Sequence, residues 1–570
     1  MSSKILRMSL LVSCILIVAS CAPAPLPPPT AAPPKIVPST ATTPPEPTVP
    51  PKVAQPTAAS PTQPTALPTK PAAQVTWASK PIVHGTCCEP LSIDPAAVSG
   101  AATDGLIVNA AYEGLTRYTI QGKIEPSLAS EWKISDDSLT YVFKLREGVK
   151  FHDGTDFNAD AVKTSFDRMK AMKMGVSFLL DAVGEVKVVD PMTVQITLAN
   201  PDTAFWFGLP NIKIISPRAL ATNRKSGDWA QAFFRENAVG TGPYRVERWD
   251  RSSQFQMVAF EGYWKGWTGK HIQRYILRFG MEMSSRLLSL EKGDIHIVDW
   301  AGLSDVRRMQ SNPKVTIFSG ASNASTFYHW MNVQSGPLKD IRVRKAMTLA
   351  FPYKEMLDVM GEMAVPMSSS VPEYMVGYCK AFEPKQDLQQ ARQLLAEAGY
   401  SSGFKVKQGY RTSNEVRRLA AELFQASLAK LNVQVVLEDL PWANFLQAQS
   451  KPETAYDFVS ASPGAPVPYA GTMLYNLGYS KVQGTAGNYS YYANAKFDAL
   501  IAEAQRLPPD SSKANDLLCQ AQKMLIDDAV LIPVMMQSYI ELRRAELKSP
   551  PIDSYSYPYD IHIYEMSLDE

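Results

Sequence analysis

The chain has 570 residues, with 57 Lys and Arg against 55 Asp and Glu, a formal net charge of +2 and a 45% hydrophobic content. This near balance, without any basic stripe interleaved with aromatics, excludes the electrostatic footprint of a nucleic-acid-binding protein. Setting aside the first 74 residues leaves 52 basic and 54 acidic residues in a body of 496, too many for one core and expected to divide into two or three lobes.

Lys4 and Arg7 precede an uncharged apolar run from Met8 to Ala19, too short to cross a bilayer and read as a secretory signal. It ends in Val18-Ala19-Ser20-Cys21, which resembles a bacterial lipobox. Residues 1–20 are then a signal peptide, and Cys21 is the lipidated first residue of the mature protein. A plain cleaved signal followed by an incidental cysteine is the alternative. Two or more acyl chains would hold the protein at a membrane surface, where one binds only marginally. Residues 22–74 contain 18 of the 44 prolines, mixed with Thr and Ala, and cannot bury a core. With Cys21 they form a tether that, stretched at ~3.1 Å per residue, reaches on the order of 160 Å.

The run "HGTCCEP" at 84–90 closes a first strand and gathers His84, Cys87, Cys88 and Glu89. Such ligands can hold a transition metal, but the spacing fits no established zinc or copper pattern, and adjacent cysteines cannot easily point at one ion. No metal and no cofactor is expected. The other reading is a disulfide in an oxidising compartment. Cys87, Cys88, Cys379 and Cys519 are the four cysteines left after processing, and three pairings are open.

The stretch 143–166 holds His152, Asp153, Asp156 and Asp160 and invites a catalytic reading. Each residue has a structural task instead. Tyr141, Phe143 and Leu145 alternate as a strand, Glu147-Gly148 turns, and Val149–Phe151 is expected to return as a short hairpin. Asp153-Gly154 turns again and His152 caps a strand end. Asn158 is a helix N-cap, with Asp160 in the first turn and Phe157 and Val162 as a hydrophobic staple. Val162, Phe166 and Met169 continue that helix's apolar face.

Strands follow at Val186–Val189 and Thr193–Leu198. Gly240-Thr-Gly242-Pro-Tyr244 lacks the third glycine of a phosphate loop, and Pro243 removes a donor, so it is a turn entering the strand Tyr244–Trp249. "GYWKGWTGK" has His271 where a P-loop needs Ser or Thr. In "STFYHWMN" (325–332), strand alternation puts Tyr328, Trp330 and Asn332 on one face and Phe327, His329 and Met331 on the other. The first set could stack on a ligand or be sheet core. Ala391 to Ala398 is a helix ended by Gly399 at C′, Val433–Leu437 is a strand followed by Trp442, and Phe497, Leu500, Ile501 and Ala504 line a further helix. No G-x-S-x-G or H-E-x-x-H occurs, which leaves the usual hydrolase constellations without support.

"YEGLTRY" (112–118), "IEPSLASEWKISDDSLTYVFKLREGVKFHDGTDFNADAVKTSF" (124–166), "VGTGPYRVERW" (239–249) and "DIRVRKAM" (340–347) resemble signature blocks of family 5 solute-binding proteins. These are the extracytoplasmic peptide/nickel-type receptors of ABC importers. "SIDPA", "EGYWKG", "KGDIHI", "ARQLLAEAGY" and "FDALIAEA" add to the resemblance, which runs in order from about residue 77 to the end.

The resemblance implies an α/β, periplasmic-binding-protein-like fold, with two αβ lobes around a ligand cleft and a third inserted lobe. Lobe I is expected at 75–118, 238–334 and 529–570, lobe II at 119–237 and lobe III at 335–528. It also implies a non-enzymatic monomer, anchored to the cell membrane by its lipid, which delivers a small or oligopeptide-type solute to a permease. The alternatives are an extracellular enzyme or chemoreceptor module on the same scaffold, and a nickel-type complex or an oligosaccharide as ligand. Tyr328, Trp330, Asn332, Glu89 and Trp442 are the expected ligand contacts. In peptide-binding relatives an aspartate beyond the "Y-D" strand pairs with the ligand's ammonium. Here Tyr456-Asp457 leads into a run without a further acid up to Tyr469, and the small residues Ser460, Ala461 and Ser462 leave room. Short free-amine peptides are therefore disfavoured, unless Glu89 or Asp104 supplies the charge.

Overall fold

The computed structural model describes residues 75–98, 102–119, 122–411, 415–461, 467–484, 487–550 and 561–569. The expected signal peptide, Cys21, the tether and Ser462 lie outside them. Two sheets organise the body.

The larger sheet has eleven strands. Their order is Val433–Leu440, Phe404–Arg411, Phe458–Ala461, Val315–Met331, Leu531–Arg544, Ile297–Asp299, Ile82–Gly85, Arg274–Arg278, Gln254–Ala259 and Tyr244–Asp250, with Ala364–Pro366 added on Leu531–Arg544. Helices cover both faces, so its central strands are buried on both sides: eleven of the fourteen residues in Leu531–Arg544 are buried, leaving only Gln537, Ser538 and Arg544 partly open. One face packs Val83, Val298, Phe327, Met331 and Met535 against helices Ile341–Ala350 and Glu415–Ala429. The opposite face of the strands at 82–85 and 274–278 packs on helix Ala102–Ala111.

The smaller sheet, Ala129–Ile134, Thr140–Leu145, Thr193–Leu198 and Val183–Asp190, is antiparallel and lies wholly within 119–237. Its two central strands alternate buried with more open positions, as Thr193–Leu198 does throughout, because one face meets helix Ala159–Met172. That helix starts as its sequence dictates. Asn158 is extended, and its Oδ1 accepts the Ala161 N–H at 3.1 Å, an interaction typically worth ~1 kcal/mol. Phe157 and Val162 are both buried beside it.

The expected return of Val149–Phe151 onto Thr140–Leu145 does not form. That strand takes Ala129–Ile134 and Thr193–Leu198 as partners, and 149–151 pairs locally with 155–157 through a bridge between Lys150 and Asp156. Asp153 turns the chain by accepting from Thr155 N at 3.0 Å and from Ser216 Oγ at 2.6 Å. His152 is held neutral, its pKa pushed down to about 4 by burial, with Nε2 donating to the Gly242 carbonyl at 2.9 Å. Gly240 and Gly242 are required for close approach: a Cβ at either would sit 2.1 Å from Ala111 O or 2.5 Å from Ala110 O.

Arg168 joins this helix to the segment after the first strand. It grips Asp94 with two bonds, at 2.7 and 2.6 Å, donates Nε to the Trp229 carbonyl at 2.8 Å, and lies over the Phe234 ring. On the far side, Thr203 donates its N–H to Gln505 O at 2.9 Å and Phe207 stacks on Tyr469 with ring centres 5.0 Å apart, so the small sheet's region also touches 467–507. The open cysteine question resolves as Cys87–Cys88 and Cys379–Cys519. The latter closes a separation of 140 residues onto helix Ser512–Asp527.

Candidate functional site

The strand registers locate a crevice. Ile82–Gly85 runs parallel to Arg274–Arg278 and Ile297–Asp299, and all three point along the direction of Val315–Met331. Phe404–Arg411, Val433–Leu440 and Phe458–Ala461 are mutually parallel and run the opposite way. The carboxyl ends of the two sets therefore face each other. Asp299 is level with Glu541 and Phe318; Ala461 is level with Tyr328 and Pro533. Glu541 and Pro533 are separated by about 26 Å of strand at ~3.3 Å per residue. Over that gap the floor is the pair Val315–Met331 and Leu531–Arg544, joined at one edge by Ala364–Pro366. In an α/β sheet, ligands bind outside the carboxyl ends of parallel strands. The floor itself has a register shift, with six residues from Ala321 to Thr326 set against three from Ser538 to Met536, a bulge at which the two halves can bend.

One rim follows Gly85 and Asp299. Thr86 Oγ1 donates to Asp299 Oδ2 at 2.6 Å, and Arg286 donates to Asp299 Oδ1 at 2.8 Å, with His84 Nε2 3.5 Å from Oδ2. This buried network fixes the strand ends. The joined Cys87–Cys88 pair sits exposed above it. Trp300 follows directly, 48% exposed, in a left-handed conformation at φ 56° and edge-on to Tyr539. A bulky residue held with positive φ at a strand end is a strained arrangement of the kind found at ligand sites. Sequence reading missed Trp300, since one aromatic after a three-residue strand has no period; the strand-end rule applied to Ile297–Asp299 finds it.

The other rim carries Arg411 at the end of its strand, Trp442 at the first turn after Val433–Leu440, and Arg417 on helix Glu415–Ala429. Burial pushes the Arg417 guanidinium down to about 10, and the neighbouring Arg411 charge acts in the same direction. Tyr489 lies within the same group, edge-on to both Trp330 and Phe445.

The expected alternation of 327–332 is realised, with Tyr328 and Trp330 in one core and Phe327 and Met331 in another. Tyr328 and Trp330 are fully buried, Tyr328 OH donating to Ser370 O at 2.9 Å and Trp330 Nε1 to Ala461 O at 3.3 Å. Asn332 donates to Pro452 O at 3.0 Å. In this conformation these three present no surface to the crevice. Glu89 accepts from Trp249 Nε1 at 2.9 Å and Ser252 N at 3.0 Å, tying the first loop to the hairpin 244–259. Asp104 accepts from Leu91 N at 3.0 Å, and burial raises its pKa to about 6. Ser460 does not open space as expected. It is fully buried on the opposite face of the strand, hydrogen-bonded to His329 at 3.2 Å, because strand alternation turns it away from Ala461.

The model for bacterial extracellular solute-binding proteins, family 5, matches residues 123–485. The chain belongs to this family. The dipeptide-binding protein of Escherichia coli K12 is 29% identical to this binding protein over 460 residues, covering 76% of this chain and 84% of that one. Heme-binding protein A of Haemophilus influenzae is 29% identical over 493 residues, covering 79% and 86%. Among solved structures, HbpA2 of Haemophilus parasuis superposes with a TM-score of 0.76 at 24% identity, covering 86% of this chain and 100% of its own. CtaP of Listeria monocytogenes also gives 0.76, at 21% identity, covering 88% and 100%. The fold is the α/β binding-protein fold that the signature blocks imply, and the relatives are named for binding rather than for catalysis. No helix among the described residues of this family 5 protein is long and apolar enough to cross a membrane.

Proposed function

We propose that the protein is the extracytoplasmic receptor of an ABC importer, capturing a small solute between the opposed strand ends and handing it to a permease. The observation carrying this reading is the crevice floored by two continuous strands with a bulge at mid-length. A solute touching both rims favours the closed arrangement by its differential affinity, and the closed form is what a permease would recognise. Lobes I, II and III follow the segments set out above, and the receptor works as a monomer. No nucleophile is needed for such a cycle.

The anchor is Cys21. Labelled fatty acid is expected on the wild-type protein and not on Cys21→Ala, which should be released into the medium. Label retained on the variant would remove the lipoprotein reading.

The relatives are named for dipeptides, heme and glutathione, which keeps an oligopeptide-type solute first among the classes. The charge of the far rim narrows it. Asp457 is occupied by Ser335 Oγ and the Lys407 N–H, Phe458–Ala461 brings no acid, and Arg411 and Arg417 are cationic. On the adjoining strand Glu438 is engaged by Tyr456 and Lys407, and Asp439 stands level with Tyr410, next to Arg411 in the chain. A free ammonium closed into this rim would therefore compete with Arg411 and Arg417 for its counter-charge. A solute blocked at its amino end and bearing a carboxylate suits the rim, with Arg417 and Trp442 on that side and Trp300, Cys87 and Cys88 on the other. A neutral oligosaccharide or a metal complex is the alternative ligand. Calorimetry on protein freed of bound solute decides, using tripeptides, their N-acetylated forms, oligosaccharides and nickel–histidine. Acetylated peptides are expected to bind at least as tightly as free ones. Sub-micromolar binding of a free peptide that vanishes on acetylation would overturn this assignment.

A further inference from the structure

We propose that this protein has a second binding site, for a small oxyanion or short carboxylate, in the seam between helix Ala102–Ala111 with its following turn and the segment Tyr263–Lys265. A cavity of about 100 Å³ lies there, and Arg117, Lys213 and Lys265 all line it. None of its lining residues belongs to the rims of the crevice.

Two of the three acids near the cavity are engaged by groups other than Lys265 and Lys213. Glu113 is half-buried, its carboxylate wrapped by Thr241 Oγ1 at 2.8 Å, Tyr263 OH at 3.1 Å and Trp264 Nε1 at 3.0 and 3.1 Å; desolvation raises its pKa. Glu565 also lines the cavity, and Glu125 pairs with Arg117 from outside it. Lys265 lies near the Trp264 and Tyr564 rings, at 5.2 and 6.0 Å from their centres, and has no ion-pair partner among the described residues. Its burial and the nearby Arg117 charge both depress its pKa, a cost that a bound anion would relieve.

Donors without acceptors point to the same ligand chemistry. Asn109 Nδ2, Thr116 Oγ1 and Arg117 Nε are buried with no hydrogen-bond partner among the described residues, and all three residues line the cavity. Thr116 is completely buried. Buried N–H and O–H groups are normally satisfied, so three orphans around one cationic cavity call for an acceptor-rich occupant. The volume suits a group of the size of sulfate, phosphate or acetate and excludes a peptide. Bound there, the anion would bridge Lys265 of one segment to Arg117 of the other and stiffen the seam.

The test is thermal unfolding of the full chain in sulfate, phosphate or acetate, at ionic strength matched with chloride. An anion that binds only the folded state raises Tm in a saturable way, here by about 2 °C for a protein of this size. Lys265→Met is expected to abolish the rise while calorimetry shows its solute affinity unchanged, and Arg117→Gln should weaken the rise independently. The three anions separate oxyanion from carboxylate selectivity. An equal rise in both variants, or no saturable rise in the wild type with any of the three, would overturn the proposal.

Discussion

Replacing Arg168 with methionine is expected to cost the fold about 3–5 kcal/mol, the usual penalty for stranding one member of a buried ion pair. Arg168 and Asp94 are 1% and 0% exposed at their side chains, so solvent screens neither charge. The variant leaves the Asp94 carboxylate with the Ala96 N–H as its donor among the described residues, and frees the Trp229 carbonyl. Because much of the loss is the stranded charge and not the pair itself, Arg168→Met/Asp94→Leu should be more stable than Arg168→Met alone. Urea unfolding of the three proteins measures both effects. A loss under about 1 kcal/mol in the single variant would show that the pair carries no such weight.

Acidification from pH 6.5 to pH 4 is expected to remove about 3 kcal/mol of stability through His329 alone. Burial pushes its pKa down to about 3. Nδ1 accepts from Gln408 Nε2 at 3.0 Å and from Ser460 Oγ at 3.2 Å, and Phe351 and Phe424 flank the ring. The unfolded chain takes up this proton near the ordinary histidine pKa of about 6.5 and the folded chain does not, so the unfolded state binds more protons throughout the window and stability falls with pH. Asp104 works against this. Its pKa, raised to about 6, means that the folded state gains relative stability as pH drops below that value. The comparison is therefore between the wild type and His329→Gln, which should show a shallower loss between pH 6.5 and 4. Parallel stability–pH curves for the two would refute it.

Local order was readable where a period or a cap repeats. Helix Ala159–Met172 starts at the expected Asn158, Thr193–Leu198 spans the residues its alternation marks, and helix Leu388–Glu397 stops ahead of Gly399 at φ 87°. The hairpin at 149–151 was misread because apolar residues close to a turn look alike whether they pair backward or forward. Tyr328 and Trp330 show a deeper limit. Alternation separates two faces of a strand, but both faces of this sheet are covered, so period cannot tell crevice from core. The rims depend on which strand ends oppose one another, a relation between residues 85, 299, 411 and 461 set by pairing over hundreds of positions. The cysteine pairing has the same origin, since only the folded chain brings Cys379 to Cys519.

The position of Leu531–Arg544 bears on the order of biosynthesis. It is the strand that joins Ile297–Asp299 to Val315–Met331, and it follows the other ten strands of its sheet in the chain. Until it emerges, nine of the other ten strands form two unjoined half-sheets with open edges, Ala364–Pro366 has no strand to pair with, and neither half has the crevice floor. A polypeptide so arranged cannot close its central sheet in order from the amino end. The delay leaves two open strand edges unpaired until Leu531–Arg544 arrives.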